Sequence, residues 1–301
     1  MFRNTARTVV LTSLALMCFA ANSLLCRAAL RTHSIDAASF TLIRIASGAL
    51  LLGTVSFFSH GRSSLRFGSS LRFGTWISAL ALTSYAVFFS YSYLMIDAGI
   101  GALILFGTVQ ATMIGWGFVT SNQPRALEWT GLIMALTGLA LLTLPGKSAP
   151  NPVAAILMAI AGVSWGVYSL RGREAAAPLL TTAGNFVRAV PLAACLGLLA
   201  LLNGHVVSHQ VATPIRARAG VGLAVISGAV TSGIGYSLWY GALPALGSTR
   251  AAVVQLSVPV LAMVAGVLIL GESLSARALG SGALTLAGVG IAILGRGSRV
   301  G

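Results

Sequence analysis

Long apolar runs follow one another along the entire chain and are separated by short polar segments. The separators include SNQPR (121–125), GKSAPNP (146–152) and RGREAAAP (171–178), in which proline and glycine end helices. Each run has about 20 residues and is long enough to cross roughly 30 Å of hydrocarbon as a helix. The pattern predicts ten membrane spans, at 7–30, 37–59, 73–96, 99–119, 126–145, 152–170, 179–202, 219–242, 248–270 and 277–296.

The composition is that of a membrane protein. Of the 301 residues, 56% are hydrophobic and 8% are charged, and the mean hydropathy is +0.91, whereas about a quarter of the residues of a soluble domain are charged. The first span follows Arg3 and Arg7, as a secretory signal peptide would. It continues to about Ala29 without a convincing small-residue cleavage site, so we interpret it as a retained helix. We therefore expect an all-α membrane protein with ten transmembrane helices.

Basic residues predict the orientation, because cytoplasmic segments of membrane proteins are enriched in Lys and Arg. With the N-terminus inside, the inner segments hold eleven, namely Arg3, Arg7, Arg62, Arg66, Arg72, Arg125, Arg171, Arg173, Arg250, Arg296 and Arg299. The outer segments hold six, namely Arg27, Arg31, Lys147, Arg216, Arg218 and Arg277. This bias predicts a multi-pass protein of the inner (plasma) membrane with both termini in the cytoplasm. It also accounts for the net charge of +14, so no nucleic-acid partner is expected.

The two halves of the chain resemble each other. A shift of 152 residues places RALEWTGLIMALTGLALL (125–142) over RALGSGALTLAGVGIAIL (277–294), and Arg44 and Arg188 each lie early in the second span of their half. Five spans per repeat is an odd number, which forces the second copy to cross the membrane upside down. The sequence therefore predicts two inverted five-helix repeats, at 1–150 and 151–301.

The ninth and tenth spans carry the most specific motif. The stretch QLSVPVLAMVAGVLILGESL (255–274) followed by LGSGALTLAGVGIAILG (279–295) resembles the closing signature of EamA-type members of the drug/metabolite transporter superfamily, and VSWGVYSL (163–170) agrees with it. The aromatic-rich third and eighth helices are similar to those of YddG-type bacterial amino-acid exporters. The resemblance implies an alternating-access transporter with helices arranged around a central cavity. The first half departs from the motif, because Pro259 aligns with Gly107 and Glu272 with Thr120.

Pro259 is the predicted gating residue. A proline inside a helix removes one backbone hydrogen bond and costs about 3 kcal/mol unless something compensates, and non-helical backbone at membrane depth is tolerated next to protein or a watery cavity. The freed carbonyl near Gln255 could face a substrate pathway; a simple packing kink is the alternative.

Polar-tipped and aromatic side chains predict a solute-binding site. Tyr85 and Ser92 share one face of the third helix, and Tyr236 and Trp239 lie together on the eighth. Aromatic walls with hydroxyl and amide tips suit a neutral or zwitterionic organic solute, although such stripes also serve packing or interfacial belts. The predicted substrate-binding residues are Asn22, Tyr85, Ser92, Gln110, Trp165, Tyr168, Tyr236, Trp239 and Gln255.

The charged residues limit the classes of function that the sequence is compatible with. All five acids lie near predicted helix ends, so neither a midplane proton carrier nor the catalytic cluster of an enzyme is expected. His205 and His209 have helical metal-ligand spacing but no third ligand, so no metal and no cofactor is expected. Arg44 and Arg188 favour a structural role, with contact to a substrate carboxylate as the alternative. We expect an exporter of small metabolites, above all amino acids including aromatic ones; other organic solutes or drugs, or a passive channel, are the alternatives.

Overall fold

The computed structural model describes residues 2–60, 73–120, 126–144, 146, 149–173, 175–202 and 214–297, and all regular structure within them is helical. The predicted loop residues Arg62, Arg66, Arg72, Arg125, His205 and His209 lie outside the described residues. The helices are α1 (Phe2–Arg31), α2 (Ala37–His60), α3 (Trp76–Tyr93), α4 (Ala98–Thr120), α5 (Ala126–Thr143), α6 (Pro152–Gly172), α7 (Pro178–Leu202), α8 (Pro214–Ile226), a π-helical segment (Ser227–Ile234), α9 (Gly235–Gln255), α10 (Ser257–Leu270) and α11 (Ala276–Gly297).

The helices have the length and surface of membrane spans. Within the described residues, six are long and apolar enough to cross a bilayer: Ala6–Arg31, Ala37–Ser59, Ala98–Trp116, Pro152–Gly172, Pro178–Ala200 and Pro214–Leu246. Shorter apolar helices accompany them at Trp129–Thr143, Ser257–Leu270 and Ala276–Ala292. Large apolar side chains such as Leu50, Phe58 and Leu268 point outward from the bundle, as lipid contact requires. The expected all-α membrane protein is confirmed.

One predicted boundary is wrong. The break expected between 242 and 248 is helical, because α9 continues through Pro244 to Gln255. The chain leaves the helix at Leu256 instead, and α10 begins at Ser257. Pro259 therefore lies in the first turn of α10, where a backbone N–H has no acceptor within the helix and a proline is well tolerated. The irregular backbone expected near Gln255 is present, one turn before the proline.

The helices pack in a set of close pairs. α2 packs against α7 and the π-helical segment, α3 against α6, α4 against α6 and α10, and α1 against α9, α10 and the π-helical segment. α5 and α11 pack closely along their length, since a Cβ added to Gly138 would lie 2.7 Å from the Thr285 nitrogen and 2.8 Å from the Ser281 oxygen. The two backbones are thus in direct contact, as small residues permit between membrane helices.

Ionic contacts join the helices at one end of the bundle, here called the Glu272 end. Both carboxylate oxygens of Glu272 accept from the Ala98 nitrogen, at 2.9 and 3.0 Å, and so cap the start of α4. Arg27 lies 3.5 Å from Glu272 and 3.0 Å from Asp97. Gly271 ends α10 with a φ of 65°, which favours glycine. The Leu-Gly-Glu motif therefore ties α10 to α1 and α4.

The opposite end, here called the Arg171 end, is held by arginine and hydroxyl groups. Arg171 at the end of α6 donates to Ser78 at 3.0 Å and to Thr75 at 3.2 Å. Arg188 in α7 donates to the backbone oxygen of Phe73 at 2.8 Å. These contacts join α6 and α7 to the start of α3.

Candidate functional site

Polar side chains from both halves of the chain meet in the middle of the bundle. All are at least nine-tenths buried, and they come from α1, α2, α3, the π-helical segment and α9. We call them the central polar cluster: Asn22, Arg44, Tyr85, Ser227, Thr231, Ser232 and Tyr236. Burying uncharged polar residues and an arginine inside a membrane protein costs free energy. The cluster is therefore a candidate functional site.

The hydroxyl of Tyr85 lies at the centre of the hydrogen-bond network of the cluster. It accepts from the Asn22 amide nitrogen at 3.1 Å and from Arg44 Nη2 at 3.2 Å. The Tyr236 hydroxyl lies 3.3 Å from it and donates to it. Tyr85 belongs to α3 and Tyr236 to α9, so this contact closes the centre of the bundle between the two predicted repeats.

The π-helical segment supplies the remaining hydroxyl groups. Ser227 and Thr231 both donate to the Asn22 side-chain oxygen, at 2.6 and 3.1 Å, which fixes the orientation of that amide. Gly228 brings the segment against α2, because a Cβ there would overlap the backbone oxygen of Arg44. π-Helical geometry is rare and is frequent at functional sites. Here it sets Ser227, Thr231 and Ser232 toward the same cluster.

Arg44 is the charged member of the cluster. Its side chain is 1% exposed; Nε donates to Ser232 at 2.9 Å, and Nη2 donates to Tyr236 at 2.6 Å as well as to Tyr85. The guanidinium carbon lies 5.1 Å from the ring centre of Tyr85 and 5.0 Å from that of Phe89. Burying an unpaired charge costs several kcal/mol. Hydrogen bonds of about 1.5–3 kcal/mol each and the two ring contacts offset part of this cost.

Aromatic rings surround the cluster. The ring centre of Trp165 lies 4.5 Å from that of Tyr236 and 5.0 Å from that of Tyr85, and Phe19 lies 5.4 Å from Trp165 and 5.6 Å from Trp239. We call these buried rings the aromatic group: Phe19, Phe89, Trp165, Tyr168, Phe186 and Trp239. The indole nitrogens of Trp165 and Trp239 have no hydrogen-bond acceptor among the described residues. The walls are therefore apolar with donors still available.

The structure brings six of the predicted site residues together. Asn22, Tyr85 and Tyr236 are in the central polar cluster, and Trp165, Tyr168 and Trp239 are in the aromatic group. Their roles in binding stay predictions, but their proximity follows directly from the distances above.

The other predicted site residues are buried at some distance from the centre. Ser92 donates to the Ala154 oxygen at 2.7 Å and so joins α3 to the start of α6. Gln255 donates to Ala251 in its own helix at 3.4 Å. Gln110 lies in α4 one turn beyond Phe106, whose ring centre is 6.4 Å from that of Phe19. Ser92 and Gln255 make helix contacts in this conformation, and Gln110 borders the aromatic group.

Sequence reasoning missed the hydroxyl groups of the π-helical segment. The signal was present in SGAVTSGI (227–234), where Ser227, Thr231 and Ser232 follow one another at short helical intervals in a glycine-rich run. It also treated Arg44 and Arg188 alike. Arg188 donates to the backbone oxygens of Phe73 and Gly184, as the structural interpretation expects, whereas the described partners of Arg44 are side-chain hydroxyls.

Comparison with known proteins shows the family to which the chain belongs. Residues 152–294 match the EamA-like transporter family. The uncharacterized protein PA1977 of Pseudomonas aeruginosa is 44% identical over 298 residues, which is 98% of each chain. The chain belongs to the EamA-like transporter family. The resemblance inferred from the Pro259 and Leu-Gly-Glu motifs is thereby confirmed.

More distant relatives of this EamA-like transporter include exporters. The threonine/homoserine exporter RhtA of Escherichia coli is 27% identical over 265 residues, covering 85% of this chain and 82% of RhtA. RhtA of Salmonella typhimurium is 28% identical over 249 residues, covering 80% and 76%. A crystal structure with 18% identity and a TM-score of 0.63 covers 96% of this chain and 98% of its own, so the two proteins share a fold.

A cavity in this EamA-like transporter opens among α2, α3, α6 and α7, and its lining contains no member of the central polar cluster. Its volume is about 330 Å³, and its lining includes Thr41 in α2, Phe88 and Tyr91 in α3, and Leu157 in α6. Thr41 lies one helical turn from Arg44, and Phe88 is next to Phe89. The volume is in the range of small-molecule sites.

Proposed function

We propose that this EamA-like transporter exports small amino acids from the cytoplasm by alternating access. The observation that carries the proposal is the Tyr85–Tyr236 contact inside a buried cluster of amide, hydroxyl and guanidinium groups, to which both halves contribute. Such groups suit a zwitterion, and the surrounding rings suit its apolar part. The names of the two RhtA relatives, which export threonine and homoserine, agree with this substrate class.

We infer that the two halves, 1–150 and 151–301, are inverted repeats. Helices in the same position of each half pack against each other, as in α2 with α7, α4 with α10, and α5 with α11. The pairing of α3 with α6 has its counterpart in the pairing of α1 with α9 and the π-helical segment. A pseudo-twofold axis in the membrane plane would relate these pairs and would give outward-open and inward-open forms of similar energy.

In this mechanism the two ends of the bundle open in turn. The contacts of Glu272 and Arg27 hold one end, and the contacts of Arg171 and Arg188 hold the other. Opening either end requires helices of the two halves to part, and the Tyr85–Tyr236 contact must then separate. The backbone interruption at Leu256 before Pro259 gives α10 a place to bend, which is the gating role we propose for Pro259.

The wider site would include all the predicted binding residues. Asn22, Tyr85 and Tyr236 would contact the solute's polar groups, with Trp165, Tyr168 and Trp239 as walls. As the helices move, Ser92, Gln110 and Gln255 would line the pathway on either side of the cluster, since each is a buried polar residue in a helix that bounds the bundle interior.

We further propose that the protein lies in the inner membrane with both termini in the cytoplasm, from the distribution of its basic residues. In that orientation the Glu272 end faces outward. Because the five acids lie near helix ends, no carboxylate is available at the midplane to carry protons. Transport would then proceed down the solute gradient without a steep requirement for a proton gradient.

Reconstitution in liposomes tests the proposal. Uptake and counterflow would be measured for a panel of amino acids including threonine, homoserine and tryptophan, with sugars and cationic drugs as comparison solutes. We expect saturable flux with counterflow for amino acids, with little change when a protonophore is added. Transport confined to sugars or drugs would contradict the substrate class, and flux without saturation or counterflow would indicate a channel.

A further inference from the structure

We propose that Arg44 binds the carboxylate of the transported solute, so that the transporter requires a free carboxylate on its substrate. This inference rests on the proposed function and names the group that the site recognises. It is carried by the unfilled hydrogen-bonding capacity of a fully buried guanidinium at the centre of the bundle.

Some N–H donors of Arg44 make no hydrogen bond to the described residues. A guanidinium carries five N–H donors, and three of these have acceptors in Ser232, Tyr85 and Tyr236. Nη1 has no hydrogen-bond acceptor among the residues that the structure describes. Unused donors on a buried guanidinium are unusual in a folded protein. Together with Nη2, Nη1 forms the planar edge that binds a carboxylate through two parallel hydrogen bonds.

The cluster also lacks a counter-charge. The ion pairs among the described residues join Arg27 to Asp97 and Glu272, at the Glu272 end of the bundle. Among the described residues, the Arg44 guanidinium contacts the hydroxyls of Ser232, Tyr85 and Tyr236 and the rings of Tyr85 and Phe89. A solute carboxylate would therefore supply the anion that this part of the protein does not supply itself.

The partners of Arg44 are suited to exchange. The Tyr85 and Tyr236 hydroxyls each accept from Arg44 Nη2, and they belong to different halves of the chain. When these helices part, both hydroxyls leave Nη2 free and can instead donate to the carboxylate oxygens. Ser232 would continue to hold Nε, which keeps the guanidinium in place. In this conformation the two tyrosine hydroxyls accept the hydrogen bonds of Arg44 Nη2. In an open conformation the carboxylate of the solute would accept them instead.

Arg188 provides the contrast within the same chain. It also lies in the second helix of its half, but its Nη1 donates to the backbone oxygens of Phe73 and Gly184. Backbone oxygens on neighbouring segments hold an arginine in a structural role. The hydrogen bonds of Arg44 within the described residues go to the side-chain hydroxyls of Ser232, Tyr85 and Tyr236. The second helix of each half thus carries an arginine, and the two arginines have different surroundings.

The test compares threonine with threonine amide and threonine methyl ester, which keep the ammonium and the side chain but remove the carboxylate. Counterflow would be measured in proteoliposomes with the wild-type protein, Arg44→Gln, Arg44→Lys and the matched control Arg188→Gln. We expect the wild type to move threonine with a KM at least tenfold lower than that of either derivative. Arg44→Gln should remove this preference, and Arg44→Lys should restore part of it.

The outcomes separate the two proposals. Equal wild-type flux of threonine and its amide would overturn the role of Arg44 and leave amino-acid export standing. Arg44→Gln protein that is folded by size-exclusion chromatography and still prefers threonine tenfold would also overturn it. If Arg44→Gln does not fold, the wild-type comparison decides. If the wild type moves no amino acid, the proposed function fails and the inference with it.

Discussion

Substituting Gly138 with alanine should destabilise the protein by separating α5 from α11. A Cβ at this position would lie 2.7 Å from the Thr285 nitrogen and 2.8 Å from the Ser281 oxygen, whereas ordinary contact begins at 3.4 Å. These neighbours are backbone atoms and cannot rotate away. The two helices must therefore move apart by at least about 0.6 to 0.7 Å at this crossing.

The size of the effect follows from two opposing contributions. Overpacking of this kind costs about 1–3 kcal/mol, and replacing glycine by alanine inside a helix returns about 1 kcal/mol. A second close crossing, where a Cβ on Gly131 would lie 2.5 Å from the Gly288 oxygen, limits how the pair can tilt. The overpacking cost should therefore lie in the upper part of its range, at about 2–3 kcal/mol. We expect a net loss of about 1–2 kcal/mol, or a Tm lower by about 2–6 °C for a chain of this size. Gly138→Leu should lower the amount of folded protein in the membrane.

Thermal unfolding of the purified protein in detergent, followed by size-exclusion chromatography, measures this effect. Gly290→Ala is the matched control, because Gly290 lies in the same helix as Thr285 and a Cβ there would meet nothing within 4 Å. The control should keep or raise the Tm through helix propensity alone. Gly138→Ala protein that melts at or above the wild-type temperature would refute the close contact between the two backbones.

Three further predictions address the site, the orientation and the Glu272 end. Tyr236→Phe removes the hydroxyl that accepts from Arg44 without leaving a cavity, so amino-acid flux should fall at normal expression, and unchanged flux would argue against the hydroxyl's role. Reporters fused at Met1 and Gly301 should both be active in the cytoplasm; a C-terminal reporter active only in the periplasm would contradict the ten-span topology. Burial raises the pKa of the Glu272 carboxyl above its usual 4.5, against the lowering effect of the Ala98 N–H. A carboxyl raised in this way binds protons more tightly in the folded state. Its contribution to the unfolding free energy should therefore be greatest below about pH 4.5 and should decline as the pH rises through the raised pKa, and Glu272→Gln should flatten that part of the Tm profile.

Much of the fold could be predicted from the sequence, because the thickness of a bilayer fixes the length of an apolar helix. The boundary near 243–247 could not. A proline usually ends a helix, but Pro244 lies exposed at the side of α9, which continues for eleven more residues to Gln255. The π-helical segment is equally hidden, since it depends on how Gly228 packs against α2, far away in the chain.

The site was predictable as a group and less so residue by residue. Tyr85 and Ser92 share a face of α3, yet they are about 10 Å apart along the helix axis, so Ser92 reaches the start of α6 and not the centre. Arg44 could not be separated from Arg188 by sequence, because the difference lies in partners such as Ser232, 188 residues away. The depth of burial also matters. Tyr85 and Tyr236 pack so closely that truncation to alanine would weaken folding as well as transport.

The π-helical segment Ser227–Ile234 makes the site depend on chain length as well as on side-chain identity. Each residue of an α-helix turns the chain by about 100°, and a π-helical turn accommodates an extra residue. Loss of one residue between Gly228 and Val230 would let the segment close into an ordinary α-helix. Ser232 and Tyr236 would then rotate away from Arg44 while Ser227 stayed beside Asn22. Single-residue insertions and deletions at this point are therefore a route by which related chains could change the solute they accept without altering any residue of the first half.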